Sequence, residues 1–302
     1  MAKAEVCKTF IQRFKSARRL LCCRDGGIGR RKGLKIPRTL HVRAGSIPAP
    51  GTKKTKPAKA GFFIYLEKNT MKAIIFDMDG VISDSEPCHV EAEKRLFKPY
   101  GIHLTTEYLQ KFMGKYVTDL LGSIIHDHNL DVDIQTHLPV HQKNLVQSYR
   151  ENALPIDGAL DLIKTLAKAG IPLGLASSSV HLLIDVVLEK FHIRSYFKAV
   201  VSGEDVKRTK PNPDIFLETA RRLNVIPKAC IVIEDSGAGV CAAKSAGMFC
   251  IGYRSANSGH QDFSLADVII DDLRMISPDW MLEKYNQWEQ SHANQKSDSL
   301  PN

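Results

Sequence analysis

The chain has 302 residues, 43% of them apolar and 25% charged. These ordinary proportions exclude wholesale disorder and allow one large domain or two modest ones. The net charge of +9 is unevenly placed: 18 of the 42 Lys/Arg and 3 of the 33 Asp/Glu precede Met71, so the first 70 residues carry +15 and the remainder −6.

The basic character therefore belongs to residues 1–70. There, Gly, Arg, Lys and Pro are frequent and no helical or strand period persists beyond about Leu21, which predicts disorder. Three readings stay open for this segment. It is an Arg-rich organellar presequence, a basic nucleic-acid arm, or a stretch placed in frame by a start codon set too early. The third rests on back-translation. Permitted codons for residues 27–31 and 44–49 write out sequences like the D and T arms of a transfer RNA, those for 32–37 a five-pair stem around a seven-base loop, and those for 51–53 a terminal ACCA, in the order of a leucine transfer RNA with a long variable arm. On that reading translation begins at Met71. The acidic remainder gives no reason to expect a nucleic-acid partner. No apolar run reaches the ~20 residues that span a bilayer, so no membrane partner is expected. The seven cysteines show no metal-ligand spacing and fit buried thiols in a reducing, cytoplasmic setting.

At Met71 the pattern changes. Residues 72–76 form an apolar run bounded by Asp77 and Gly80, a buried strand. Residues 85–150 carry helical periodicity with breaks expected near Gly101, Gly114 and Pro139. From Pro155 strands and helices alternate. Strands are expected at 171–176, 198–202, 230–233, 249–253 and 268–270, with helices at 180–191, 214–223 and 239–246. Such alternation predicts an α/β fold: a Rossmann-like parallel sheet with helices on both faces, interrupted by an all-helical insert. The expected division is a core at 71–84 and 153–290, the insert at 85–152 and a disordered tail at 291–302.

Four strand ends carry chemistry, and in such sheets sites form at those ends. The first is Asp77-Met78-Asp79-Gly80. Two carboxylates one residue apart can share a metal, or divide nucleophilic and proton-transfer roles. The second is Ser177-Ser178-Ser179, whose hydroxyls and N–H groups suit phosphate oxygens or simply cap the next helix. The third is Lys210-Pro211-Asn212-Pro213, a rigidly placed ammonium or an ordinary helix start. The fourth is Glu234-Asp235, hard oxygen donors of the kind Mg²⁺ takes.

Each signal alone is modest; in this order, each after an apolar strand, they resemble the haloacid dehalogenase superfamily. Within it they resemble the group of β-phosphoglucomutase and small sugar-phosphate phosphatases. The resemblance runs from Met71 towards the C-terminus. It implies Asp77 as nucleophile through an aspartyl-phosphate and Asp79 as general acid and base. It implies Ser177 and Lys210 on the phosphoryl oxygens. It also implies Mg²⁺ held by Asp77, Asp235, Glu234 and the main-chain carbonyl of Asp79. The insert would be a cap that selects a small phosphorylated substrate, with His89 and Lys115 as candidate substrate-facing residues. A monomer is expected.

Phosphatase and sugar phosphomutase both fit this core. His89 stands where β-phosphoglucomutase has a histidine. However, Val180-His181 replaces that enzyme's Lys-Asn after the serine motif, and its cap arginine falls near Val117. The balance favours a phosphatase. Metal-independent dehalogenases lack the second aspartate, present here as Asp79. A phospho-acceptor signalling module shares the Asp, hydroxyl and Lys set but carries no helical insert after its first strand.

Overall fold

The computed structural model describes residues 71–112, 117–255 and 259–297. Segment 1–70, Gly114, Lys115 and the last five residues lie outside these, and so do the expectations attached to them.

The first strand, β1 (Ala73–Phe76), is wholly buried. Ile74 and Phe76 join one apolar cluster and Ala73 and Ile75 another, the period-two alternation of a strand covered on both faces. A short β2 (Ser83–Asp84) leads out of the core. Four helices follow: α1 (Glu86–Phe97), α2 (Thr106–Gln110), α3 (Val117–Asp127) and α4 (Ile134–Asn152). The chain returns through β3 (Leu154–Pro155), which pairs antiparallel with β2. Both chain crossings thus run through one two-stranded ribbon.

The helical insert has an apolar cluster of its own, built from Leu96, Phe97, Ile102, Leu104, Leu109, Leu120, Leu121 and Ile124. The break expected at Gly101 is present, with φ at 72°, a value glycine adopts without steric cost. The break expected at Pro139 is not: α4 runs straight through it. Pro139 removes one intrahelical bond, but α4 buries His137, His141, Leu145, Val146 and Tyr149 along one stripe. Tertiary packing of such a face outweighs a single lost bond.

The remainder alternates as expected: α5 (Ala159–Lys168), β4 (Leu173–Ser177), α6 (His181–Lys190), β5 (Phe197–Ser202), α7 (Asp214–Leu223), β6 (Cys230–Glu234), α8 (Gly237–Ser245), β7 (Phe249–Tyr253) and β8 (Val268–Ile270). All six long strands form one sheet in the order β5-β4-β1-β6-β7-β8, and every pairing is parallel. Residues of α5 and α6 join the cluster on one face, and residues of α7 and α8 the cluster on the other. The fold is therefore the α/β, Rossmann-like arrangement that the alternation predicts.

A final helix, α9 (Pro278–Ser297), corrects the tail expected to be disordered from 291. Met281 and Tyr285 are buried in the core cluster, and Trp288 packs against it. His292 lies 4.7 Å from the Trp288 ring. Aromatic anchoring carries the helix past the expected boundary. Among the described cysteines, Cys88, Cys230, Cys241 and Cys250 are free, and all but Cys241 are buried. Burial pushes the Cys88 thiol up to about 11, as expected of an inert apolar-site thiol.

Leu121 is fully buried in the insert's own cluster. Leu121→Ala should cost about 2–5 kcal/mol, read as a lower midpoint in urea unfolding. An unchanged midpoint would show that this cluster does not support the insert.

Candidate active site

Strands β4, β1 and β6 are neighbours, so their carboxyl ends deliver Ser177, Asp77 and Glu234-Asp235 to one edge of the sheet. Lys210 arrives from the loop before α7, and its side chain is only 7% exposed. Its Nζ donates to Asp77 Oδ1 at 2.5 Å, to Glu234 Oε1 at 2.5 Å and to the Ala176 carbonyl at 3.3 Å. It also lies 5.1 Å from the centre of the Phe216 ring, a cation–π contact that helps hold a desolvated ammonium.

Glu234 is fully buried, with each oxygen assigned. Oε1 faces Lys210, while Oε2 accepts from the Ser236 N–H at 2.7 Å and the Ser236 hydroxyl at 2.9 Å. Ser236 in turn caps α8, accepting from the Gly239 N–H at 3.0 Å. Two glycines give these acids their room. A Cβ on Gly80, whose φ is +77°, would overlap the Asp235 carboxylate, and one on Gly239 would overlap that of Glu234.

Ligand oxygens of Asp77, Glu234 and Asp235 lie within 4.8 Å of one another, and all three residues are buried. Burial pushes the Asp77 carboxyl well above its usual range; Lys210 pulls it down, and Glu234, Asp235 and Asp79 push it further up. Burial alone would lower the Lys210 ammonium, but Asp77 and Glu234 together raise it above its ordinary value, so it stays charged. Three carboxylates facing one lysine leave negative charge to be offset. Hard oxygen donors at this spacing suit a divalent cation such as Mg²⁺ or Ca²⁺, so the residues present fit the expected metal.

Asp79 takes a different place. Its carboxylate is not in the acidic trio but turns towards hydroxyl groups. Oδ1 accepts from the Tyr149 phenol at 2.8 Å. Oδ2 accepts from the Ser179 hydroxyl at 2.7 Å and the Ser177 hydroxyl at 3.4 Å. The side chain of Asp79 is thus engaged by hydroxyl groups, which leaves its expected part in metal binding to the main-chain carbonyl. Burial, with the Asp79 carboxylate beside it, pushes the Tyr149 phenol well above its usual range, so it stays a neutral donor. His89 reaches the same phenol, with Nε2 at 3.2 Å.

The structure thus brings together Asp77, Asp79, Ser177, Lys210, Glu234 and Asp235, and places His89 one residue behind Asp79. Lys115 lies outside the described residues. Tyr149 escapes the sequence reading, and Ser179 enters it only as a member of the serine motif at the end of β4, not as a partner of Asp79. Ser179 had a signal, standing two residues after Ser177; Tyr149 had none, because its position continues the buried stripe of a helix.

A family profile described as "Haloacid dehalogenase-like hydrolase" matches residues 74–253. The chain belongs to this family. Among relatives, a phosphorylated carbohydrates phosphatase from Thermotoga maritima is 32% identical over 178 residues, covering 59% of this chain and 82% of that protein. The β-phosphoglucomutase of Bacillus subtilis is 31% identical over 227 residues, covering 72% of this chain and 97% of the enzyme. A crystal structure of β-phosphoglucomutase from Clostridium difficile superposes with a TM-score of 0.58 at 29% identity, covering 72% of this chain and 98% of that one. Family membership and the parallel sheet agree with the resemblance read from the four strand ends. Among the described residues no helix is long and apolar enough to cross a membrane.

The clearance at Gly80 has a direct consequence. Gly80→Ala should displace Asp235 and weaken divalent-cation binding by about 10- to 100-fold, measured by calorimetric titration with Mg²⁺. Wild-type affinity in that variant would remove Asp235 from the metal site.

Proposed function

We propose that this chain is a Mg²⁺-dependent phosphatase acting on a small phosphorylated metabolite, with sugar phosphates as the substrate class. The observation that carries the reading is the convergence of a nucleophile, a second carboxylate, hydroxyl donors, a buried lysine and an acidic trio at adjoining strand ends. Phosphoryl transfer needs such a set, because a phosphate dianion is repelled by carboxylates unless positive charge offsets it.

In this reading Asp77 attacks phosphorus and carries the phosphoryl group as an aspartyl-phosphate. Lys210, 2.5 Å from Asp77 Oδ1, orients the attacking carboxylate and neutralises charge on the transferring oxygens. Ser177, at the end of β4, donates to those oxygens. Asp79 gives a proton to the leaving oxygen and then takes one from the water that attacks phosphorus. The metal would be held by Asp77, Asp235, Glu234 and the main-chain carbonyl of Asp79. Once bound, it would supply charge stabilisation to the transferring group. The helical insert would close over the site, exclude water and select the substrate.

A mutase must also grip a second phosphate, and the two residues after the serine motif are committed elsewhere. Val180 packs against the core apolar cluster. His181 Nε2 lies 3.0 Å from Asp205, and its N–H donates to Glu204 at 2.8 Å. This supports the phosphatase. Phosphomutase relatives favour the second reading, a β-phosphoglucomutase-type enzyme.

Phosphate release should be measured over a panel of phosphorylated metabolites, before and after removal of divalent cations by a chelator. Turnover is expected to vanish on chelation and return with Mg²⁺. Asp77→Asn should lower turnover by at least ~10⁴-fold while leaving the fold intact. Full activity in that variant would end the nucleophile assignment. Glucose 6-phosphate formed from β-glucose 1-phosphate faster than phosphate is released would select the mutase instead.

A further inference from the structure

Tyr149 is a fully buried residue of the insert, yet its hydroxyl meets a carboxylate from the core. Its ring is anchored on the core side, in the same apolar cluster as Cys88, Val146 and Leu183. The end of α4 is tied down as well: Lys190 of α6 donates to the Tyr149 carbonyl at 3.3 Å and the Arg150 carbonyl at 2.8 Å. The phenol is therefore fixed in space relative to the sheet.

A phenol has one proton to donate. It goes to Asp79 Oδ1, an acceptor 2.8 Å away, so His89 Nε2, 3.2 Å from the phenol oxygen, serves as a donor to it. The ring of His89 stands edge-on to that of Tyr149 at 5.8 Å. A chain of donors, His89 to Tyr149 to Asp79, thus ends on Oδ1. The other oxygen, Oδ2, lies on the side of Ser177 and Ser179, where the phosphoryl group would sit.

We propose that Tyr149 is the positioning residue of Asp79: its phenol pins Oδ1 and so aims Oδ2 at the leaving-group oxygen. This rests on the reading of Asp79 as the general acid. A structural role for Tyr149, a buried phenol that merely satisfies its hydrogen bond, would give no dependence on the leaving group. A positioning role does. A sugar alkoxide leaves only if it is protonated, whereas p-nitrophenolate leaves without help.

The test is kcat/KM, which reports the steps up to the first phosphoryl transfer, for wild type, Tyr149→Phe and Asp79→Asn. The substrates are p-nitrophenyl phosphate and the sugar phosphate turned over fastest. Phe keeps the ring and its packing. Tyr149→Phe is expected to lose about 10- to 100-fold on the sugar phosphate and to change little on p-nitrophenyl phosphate. Asp79→Asn is expected to show the same selectivity more strongly, and the double variant no more than Asp79→Asn alone. Equal loss on both substrates, or none on either, in Tyr149→Phe while Asp79→Asn stays selective would overturn the proposal alone. Absence of selectivity in Asp79→Asn would overturn the general-acid reading and the proposal with it.

Discussion

Lys210 reaches 2.5 Å from Asp77 on one strand end and 2.5 Å from Glu234 on the next. Taking carboxylates out of water costs several kcal/mol each unless partners compensate. A buried ammonium between two of them offsets much of that cost, while Asp235 and Asp79 add further negative charge close by. The sheet order makes this arrangement possible, since β1 and β6 run side by side in register from Ala73–Cys230 to Phe76–Ile233. Their apolar residues hold the strands in the core and leave the acids at the exit. The charge imbalance that remains is what a divalent cation held by the acidic trio would offset.

Around this pair, small residues and hydroxyls set the shape. Gly80 and Gly239 stand against the carboxylates of Asp235 and Glu234. Ser236 orients Glu234 and also caps α8. On the other side Asp79 is bonded by Ser179 of the core and by Tyr149 of the insert. The two carboxylates of Asp77-Met78-Asp79 therefore face different surroundings. One is held by a lysine among acids, the other among hydroxyl groups. Such a difference suits a division of labour between nucleophile and proton carrier.

Much of this was legible from residue types. Strands at 249–253 and 268–270 and the helix at 214–223 fall where expected, because each is an apolar or amphipathic run with clear turn residues at its ends. The strand-end motifs were legible because order along the chain and position at a sheet edge are linked in parallel sheets. What depended on three-dimensional packing was not. Tyr149 sits on the i, i+4 stripe of His137, His141 and Leu145, which reads as an ordinary buried face. Its partner Asp79 is 70 positions away. Pro139 reads as a break because local propensity cannot register the packing of α4. The tail at 291 reads as disordered because the Trp288 anchor contacts Phe249, a residue of β7.

Acid quenching of a single turnover, followed by mass-spectrometric mapping of the phosphoryl group, tests the role of Asp77 most directly. Asp79 would release the intermediate to water, so it should accumulate in Asp79→Asn given p-nitrophenyl phosphate, whose leaving group needs no proton for the first transfer. The expected result is a phosphoryl group on the peptide holding Asp77, formed only with Mg²⁺ present. Phosphate released in the first turnover with no labelled peptide, or a label on Ser177, would contradict it.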